Sequence, residues 1–254
     1  MKAFVFAGKG QPIIEERPRP TLLMPTDAIV KMTMTSICVP ICTFSSITSC
    51  SSYEFCRKGI PSHCVDGGWI LGNTIDGTQA YYTRIPRGFQ SEQVMCSDVL
   101  PTGFECEVLN GRVQPGSTVA VIGGGPVGLG ALLTAQLYSP FNLIMIDLDA
   151  NRLKAAETQG ATHCVVSGPN TIKKVVKLTG GRGVDTAIEA VGVPATFQLC
   201  QDLVTVRGTI VNLGVHGCKV DLHLENLWDR NISTFAEMSN AYSTFGAAAE
   251  HNAL

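Results

Sequence analysis

The run Gly123-Gly124-Gly125-Pro126-Val127-Gly128 constrains this chain more than any other feature, because of what flanks it. Before it stands the apolar run Thr118–Ile122. After it, residues 126–138 carry Leu129, Leu132, Leu133 and Leu137 on recurring helical faces. The same alternation then repeats. A strand is expected at 143–146, ended by Asp147, and a helix at 151–158, stopped at Gly160. A strand follows at 163–166 and a helix at 170–178, closed by Gly180-Gly181. A strand at 184–190, a helix at 194–204 opened by Pro194, and a strand at 209–213 complete the series. Strands alternating with helices imply an α/β fold, a parallel sheet joined by right-handed crossovers.

In that setting the glycine run reads as a dinucleotide-binding turn of a Rossmann, doubly wound sheet. Gly123 permits the tight turn, Gly125 lets the backbone approach a pyrophosphate, and Gly128 lets helix and strand pack closely. Pro126 and Val127 open the helix, whose N-terminal amides and dipole favour the phosphates. Asp147 stands 19 residues after Gly128, at the end of the second strand. A carboxylate there suits the ribose hydroxyls and repels a 2′-phosphate, so NAD is expected over NADP. Arg152 is the opposing signal, since an arginine can bind that phosphate. The plain alternative for Asp147 is a helix cap, a task Asp149 or Asn151 can perform equally well.

Residues 1–110 have another texture: most of the prolines, seven of the ten cysteines and only short strand-like runs. This reads as irregular β structure. Five cysteines fall between 38 and 64, which hints at metal, and with no export signal disulfides are a poor explanation. Most later cysteines lie in apolar context, where a thiol packs as a small hydrophobe. A net charge of −2 without a basic block argues against nucleic acid and anionic membranes as partners. No apolar run approaches a membrane span, so an intracellular, cytoplasmic protein is expected.

Several stretches together resemble the zinc-type, medium-chain alcohol dehydrogenase family. They are Met1-Lys2-Ala3, Pro25-Thr26-Asp27-Ala28-Ile29-Val30, Thr35-Ser36-Ile37-Cys38 and Cys56-Arg57-Lys58-Gly59. Further on come Asp66-Gly67-Gly68-Trp69-Ile70-Leu71-Gly72, Asp76-Gly77-Thr78-Gln79-Ala80 and Ser97-Asp98-Val99-Leu100-Pro101-Thr102-Gly103-Phe104. The resemblance implies a reduced, mostly β GroES-like catalytic domain over 1–112. It also implies a Rossmann domain over 113–235 and a segment, 236–254, that returns to the first domain. It implies NAD(H) and zinc as cofactors, a small alcohol, aldehyde or ketone as substrate, and a homo-oligomer. It places Thr102 beside the nicotinamide, although a helix cap is an equal reading of that residue.

The resemblance also identifies zinc ligands. Cys38 and Asp98 match two of the three catalytic ligands, and zinc held there would act as a Lewis acid on the substrate oxygen. Val39-Pro40-Ile41 follow Cys38 where the family has a proton-relaying hydroxyl, and the Gly-His-Glu motif carrying the remaining ligand is absent. Cys50, Cys56 and Cys64 match three positions of a C-x2-C-x2-C-x7-C structural site, with Tyr53 at the second. Three thiolates with water or His63 could hold zinc weakly, and three unmetallated cysteines are an equal reading. Two functions therefore stay open: an NAD-dependent oxidoreductase, impaired by the lost ligand, or a catalytically silent NAD-binding protein. His216, after the fifth expected strand, is read as a solvated loop histidine. Trp69 and Trp228 are read as packing residues, and the role of Glu189 cannot be read from spacing.

Overall fold

A computed structural model describes residues 1–6, 12–25, 27–32, 47–48, 53–58, 60–70, 74–77, 79–85 and 99–236. The chain divides into two compact units, Met1–Asp98 with Asn240–Leu254, and Val99–Ser239.

The first unit is built from short antiparallel pairs. β1 (Lys2–Phe6) pairs with β2 (Pro12–Glu16), running from Lys2 opposite Glu16 to Phe6 opposite Pro12. Beyond β3 (Ala28–Lys31) and β4 (Ile47–Thr48) comes the single turn α1 (Glu54–Arg57). β5 (Gly68–Trp69) then pairs with β4, and β6 (Tyr82–Ile85) with β3. Asp27 Oδ2 accepts the Leu23 and Met24 amides and pairs with Arg84 Nη1 at 3.1 Å, fastening the turn before β3 to β6. These pairs match the expectation of a mostly β first domain.

The second unit opens with α2 (Val99–Thr102), which runs on into a π-helical stretch, Gly103–Leu109. The alternation then follows: β7 (Thr118–Ile122), α3 (Pro126–Ala135), β8 (Asn142–Asp147), α4 (Ala150–Thr158) and β9 (His163–Val166). α5 (Thr171–Leu178), β10 (Val184–Glu189), α6 (Pro194–Leu203) and β11 (Val204–Asn212) come next. The short α7 (Leu224–Leu227) and β12 (Ser233–Ala236) end the series. The six strands form one sheet in the order β12-β11-β10-β7-β8-β9, and every pairing is parallel.

Every residue of β7 and β8 is buried, as strands covered on both faces require. On one face Ala120, Ile122, Ile144, Ile146, Ala187 and Ile210 pack with Val175 of α5 and Phe197 and Leu203 of α6. On the other, Val119, Val121, Leu143, Met145 and Ile188 pack with Ala131 and Leu132 of α3 and Leu153 and Ala156 of α4. Helices on both faces of a parallel sheet make this the doubly wound arrangement expected from the alternation.

Three local expectations are corrected. β11 begins at Val204, not at 209, because Val204 pairs with Val184 ahead of a register irregularity. Trp228 is 74% exposed and packs little. Among the later cysteines, Cys106 and Cys200 are buried, whereas Cys164 and Cys218 are exposed. No helix among the described residues is long and apolar enough to cross a membrane.

Candidate functional site

β7 has β8 on one side and β10 on the other, so the strand order reverses between β7 and β10. Ligands of open parallel sheets bind in the crevice outside the carboxyl ends of the strands at such a reversal. The glycine turn leads out of β7 at that point. Gly123 has φ +108°, and a Cβ on it would stand 2.6 Å from Val191 Cγ2. A Cβ on Gly128 would stand 1.9 Å from the Gly123 carbonyl oxygen, so the two glycines lock the turn against its own helix. At Gly125 a Cβ would meet nothing within 4 Å. The space beside the turn therefore lies over Gly125, where the sequence puts a pyrophosphate.

Gly125 is the N-cap of α3, Pro126 opens the helix, and no side chain caps it. A helix start without a side-chain acceptor favours an incoming anion. Gly125 to Gly128 thus form an uncapped helix start with open space at Gly125, an arrangement able to receive an anion.

Asp147 closes β8 with its side chain 7% exposed. Its Oδ2 accepts the Gly124 amide at 2.6 Å, and its Oδ1 accepts the Asp149 amide at 2.7 Å. Arg152 Nη1 lies 3.6 Å from Oδ2, with the arginine 56% exposed. The cap of α4 is Asp149, whose Oδ1 accepts the Asn151 amide. Asp147 is accordingly not the helix cap but a strut between the end of β8 and the glycine turn. Each of its oxygens keeps a lone pair for another donor.

A second buried carboxylate, which spacing alone did not reveal, ends β10. Glu189 is fully buried. Its Oε1 accepts the Val191 amide at 3.0 Å, the Gly192 amide at 2.9 Å and the Thr196 hydroxyl at 2.6 Å. Its Oε2 lies 3.5 Å from His216 Nε2, and its main-chain carbonyl accepts the Leu213 and Gly214 amides. The loops that follow β10 and β11 are thereby tied to one residue. His216 is not the solvated residue expected: its side chain is 10% exposed, Nε2 lies 2.7 Å from Asn212 Oδ1, and buried Nδ1 has no partner among the described residues. The signal in the sequence was the one used for Asp147, an acid closing an apolar strand at the carboxyl edge.

Thr102 is 9% exposed and in helical conformation within the run from α2 into the π-helical stretch, where it makes no capping bond. That run lies tight on α3: a Cβ on Gly103 would stand 2.5 Å from the Ala131 amide nitrogen. Glu107, in the same stretch, is fully buried, with no partner among the described residues for either carboxyl oxygen. Burial, reinforced by the charge of Glu189, raises its pKa well above the ordinary glutamate value.

In the first unit Cys56 lies half-buried in α1 and Cys64 is buried beyond the turn Pro61–His63. Tyr53 packs its ring edge-on against Phe55 at 5.5 Å. Cys38, Cys50 and Asp98 lie outside the described residues. Among the described residues no group of three or more His, Cys, Asp or Glu gathers as a metal cluster. The described donors do not complete a zinc site.

Comparison with known proteins agrees with the fold. A family model described as zinc-binding dehydrogenase matches residues 126–251. An alcohol dehydrogenase of Cupriavidus necator is 39% identical over 193 residues, covering 69% of this chain and 52% of that protein. The zinc-type alcohol dehydrogenase B of Aspergillus flavus is 28% identical over 289 residues, covering 91% of this chain and 68% of that protein. The chain thus spans about half the length of the first of these relatives. Among solved structures, the apo form of zinc dependent alcohol dehydrogenase 2 from Streptococcus pneumonia matches with TM-score 0.85 and 39% identity, covering 100% of this chain and 87% of that one.

Proposed function

Because this chain belongs to the zinc-type medium-chain alcohol dehydrogenase family, we propose that it binds NAD(H) over the glycine turn and transfers hydride between that cofactor and a small alcohol or its carbonyl partner. The observation that carries this reading is the open space over Gly125, set between an uncapped helix start and the carboxylate of Asp147. Gly125, Val127 and Gly128 would hold the diphosphate, and the free lone pairs of Asp147 would accept the adenosine ribose hydroxyls. The same carboxylate disfavours a 2′-phosphate, while Arg152, mostly in solvent, pairs with it and moderates that preference. The bound nicotinamide would supply the hydride acceptor, and the alcohol's hydroxyl proton would leave to solvent as the carbonyl forms. Thr102 is assigned to the nicotinamide, and Cys38 and Asp98 are assigned to the chemistry on their match to the family's ligand positions.

Calorimetric titration with NADH and NADPH tests the cofactor assignment: NADH is expected to bind more tightly, and equal affinity would refute the role of Asp147. Oxidation of NADH with short aldehydes and ketones then tests the chemistry. A second reading, an NAD-binding protein without turnover, is favoured by one specific observation, the missing Gly-His-Glu motif beside Val39-Pro40-Ile41. Tight NADH binding with no turnover of any short aldehyde or ketone is its expected signature. Zinc analysis separates the two further: a metal-loaded catalytic site favours the enzyme, zero zinc the silent protein.

A further inference from the structure

We propose that Glu107 is a proton-operated latch for the run 99–109: while its carboxyl keeps a proton the run stays docked on α3, and loss of that proton to solvent opens the run as a unit while the sheet stays folded. The latch needs no bound dinucleotide, so its test is separate from that of the cofactor reading. The run is docked through two interlocking glycines. A Cβ on Gly103 would stand 2.5 Å from the Ala131 amide nitrogen of α3, and a Cβ on Gly130 of α3 would stand 2.8 Å from the Val99 carbonyl oxygen. Val108 enters the core on that face of the sheet, with Phe104 packed against it. Toward β7 the chain passes through Arg112, at φ +53°, and Gly116, at φ +80°. A positive φ is uncommon for a residue with a side chain, and hinges are a few element-terminal residues that absorb such backbone changes.

Glu107 stands inside this docked run, its two carboxyl oxygens buried without a partner among the described residues. Its backbone is held as well. The Glu107 carbonyl accepts the Gly111 amide at 3.1 Å, and the Gly111 carbonyl accepts the Thr186 hydroxyl of β10 at 2.8 Å. The carboxyl therefore reaches water only when the run undocks. A neutral carboxyl tolerates such a place, whereas a carboxylate with neither hydrogen bond nor cation does not. The neighbouring elements bring no relief. α2 and α3 carry no titratable side chain, Glu189 of β10 is a second negative group, and Arg207 of β11 is exposed. Glu105 and Cys106 share the stretch itself. π-helical geometry occurs mostly as single turns, so a stretch over Gly103–Leu109 depends on its docking. Burial and the charge of Glu189 raise the folded pKa, while the open run has the ordinary value of 4.5. Between the two values opening releases one proton, so each pH unit multiplies the open population about tenfold, and above the folded value it levels off.

Hydrogen exchange of the full chain reads that population, amide by amide, from about pH 5 to about pH 9 after correction for the intrinsic rate. The amides of 103–109 are expected to exchange ahead of those of β7 and β8, and to lose about tenfold in protection per pH unit until the folded value is passed. In Glu107→Gln, which has no proton to lose, the run is expected to keep its protection across the range. Exchange of the run in step with β7 and β8 at every pH would mean that it opens only on global unfolding. A pH slope that survives in Glu107→Gln would place the titrating group elsewhere. Either result overturns the latch. Should Glu107→Gln fail to fold, Glu107→Met carries the same test with the same expected and overturning results.

Discussion

At Gly128 an added Cβ would stand 1.9 Å from the Gly123 carbonyl oxygen, whereas at Gly125 it would meet nothing within 4 Å. The same substitution therefore has opposite readouts. Gly128→Ala forces the turn away from α3, an overpacking cost of about 1–3 kcal/mol, and is expected to lower the melting temperature by several degrees. Gly125→Ala, at φ −72°, is expected to melt as the parent does yet bind NADH about tenfold more weakly, because its methyl enters the space proposed for the diphosphate. Differential scanning calorimetry and titration separate the two. Glu107 yields a pH prediction. Its folded pKa is raised, by burial first and by Glu189 second, so between the ordinary glutamate value and the folded one the native state holds a proton that the unfolded chain has lost. Its contribution to stability is therefore complete below the ordinary value and declines as pH rises toward the folded one. Glu107→Met, similar in volume and uncharged, is expected to melt higher than the parent at pH 8, with the gap closing toward pH 4.5, the ordinary glutamate value. A gap that widens on acidification would contradict this assignment.

At the scale of elements, Asp149 and Asp147 lie two residues apart and do different work. Asp149→Ala removes the cap of α4, expected to cost about 1 kcal/mol and a few degrees of melting temperature, with NADH affinity unchanged. The sequence placed these elements well where their signals were local. Gly160 and Gly180 stop helices, Pro194 starts one, and the apolar runs at 118–122 and 143–146 lie in buried strands. It failed where a tertiary partner decides. Nothing in the run from Thr102 to Leu109 announces a π-helical stretch, because that geometry depends on how closely Gly103 approaches the backbone of α3. The early start of β11 likewise depends on pairing with Val184 and on Arg207 at φ +61°, neither visible in periodicity. In the candidate site, the glycine turn was legible because motif and geometry coincide. At Glu189 the strand-ending acid was visible but its partners were not, because they come from two loops brought together only by the sheet order.

Over the whole molecule, protection should be uneven. β7 and β8 are buried throughout and flanked by strands on both sides, while β1 and β2 carry exposed Phe4, Ile13 and Ile14. Hydrogen exchange is expected to find the amides of β7, β8 and β10 slowest, opening only with global unfolding, and those of β1 and β2 faster by orders of magnitude. Comparable protection in both units would contradict this ordering. The strut at Asp147 has a practical consequence for anyone wishing to redirect the protein toward a phosphorylated cofactor. The obvious change, Asp147→Ser, removes an unwelcome charge and also unfastens Gly124, so the turn would have to be ordered anew each time a ligand arrives. Losing a charge-assisted hydrogen bond of about 1.5–3 kcal/mol can erase what the relieved repulsion gains. Retargeting would therefore call for a compensating fastener on the turn, and a single-site swap is expected to produce a generalist with poor affinity for either cofactor.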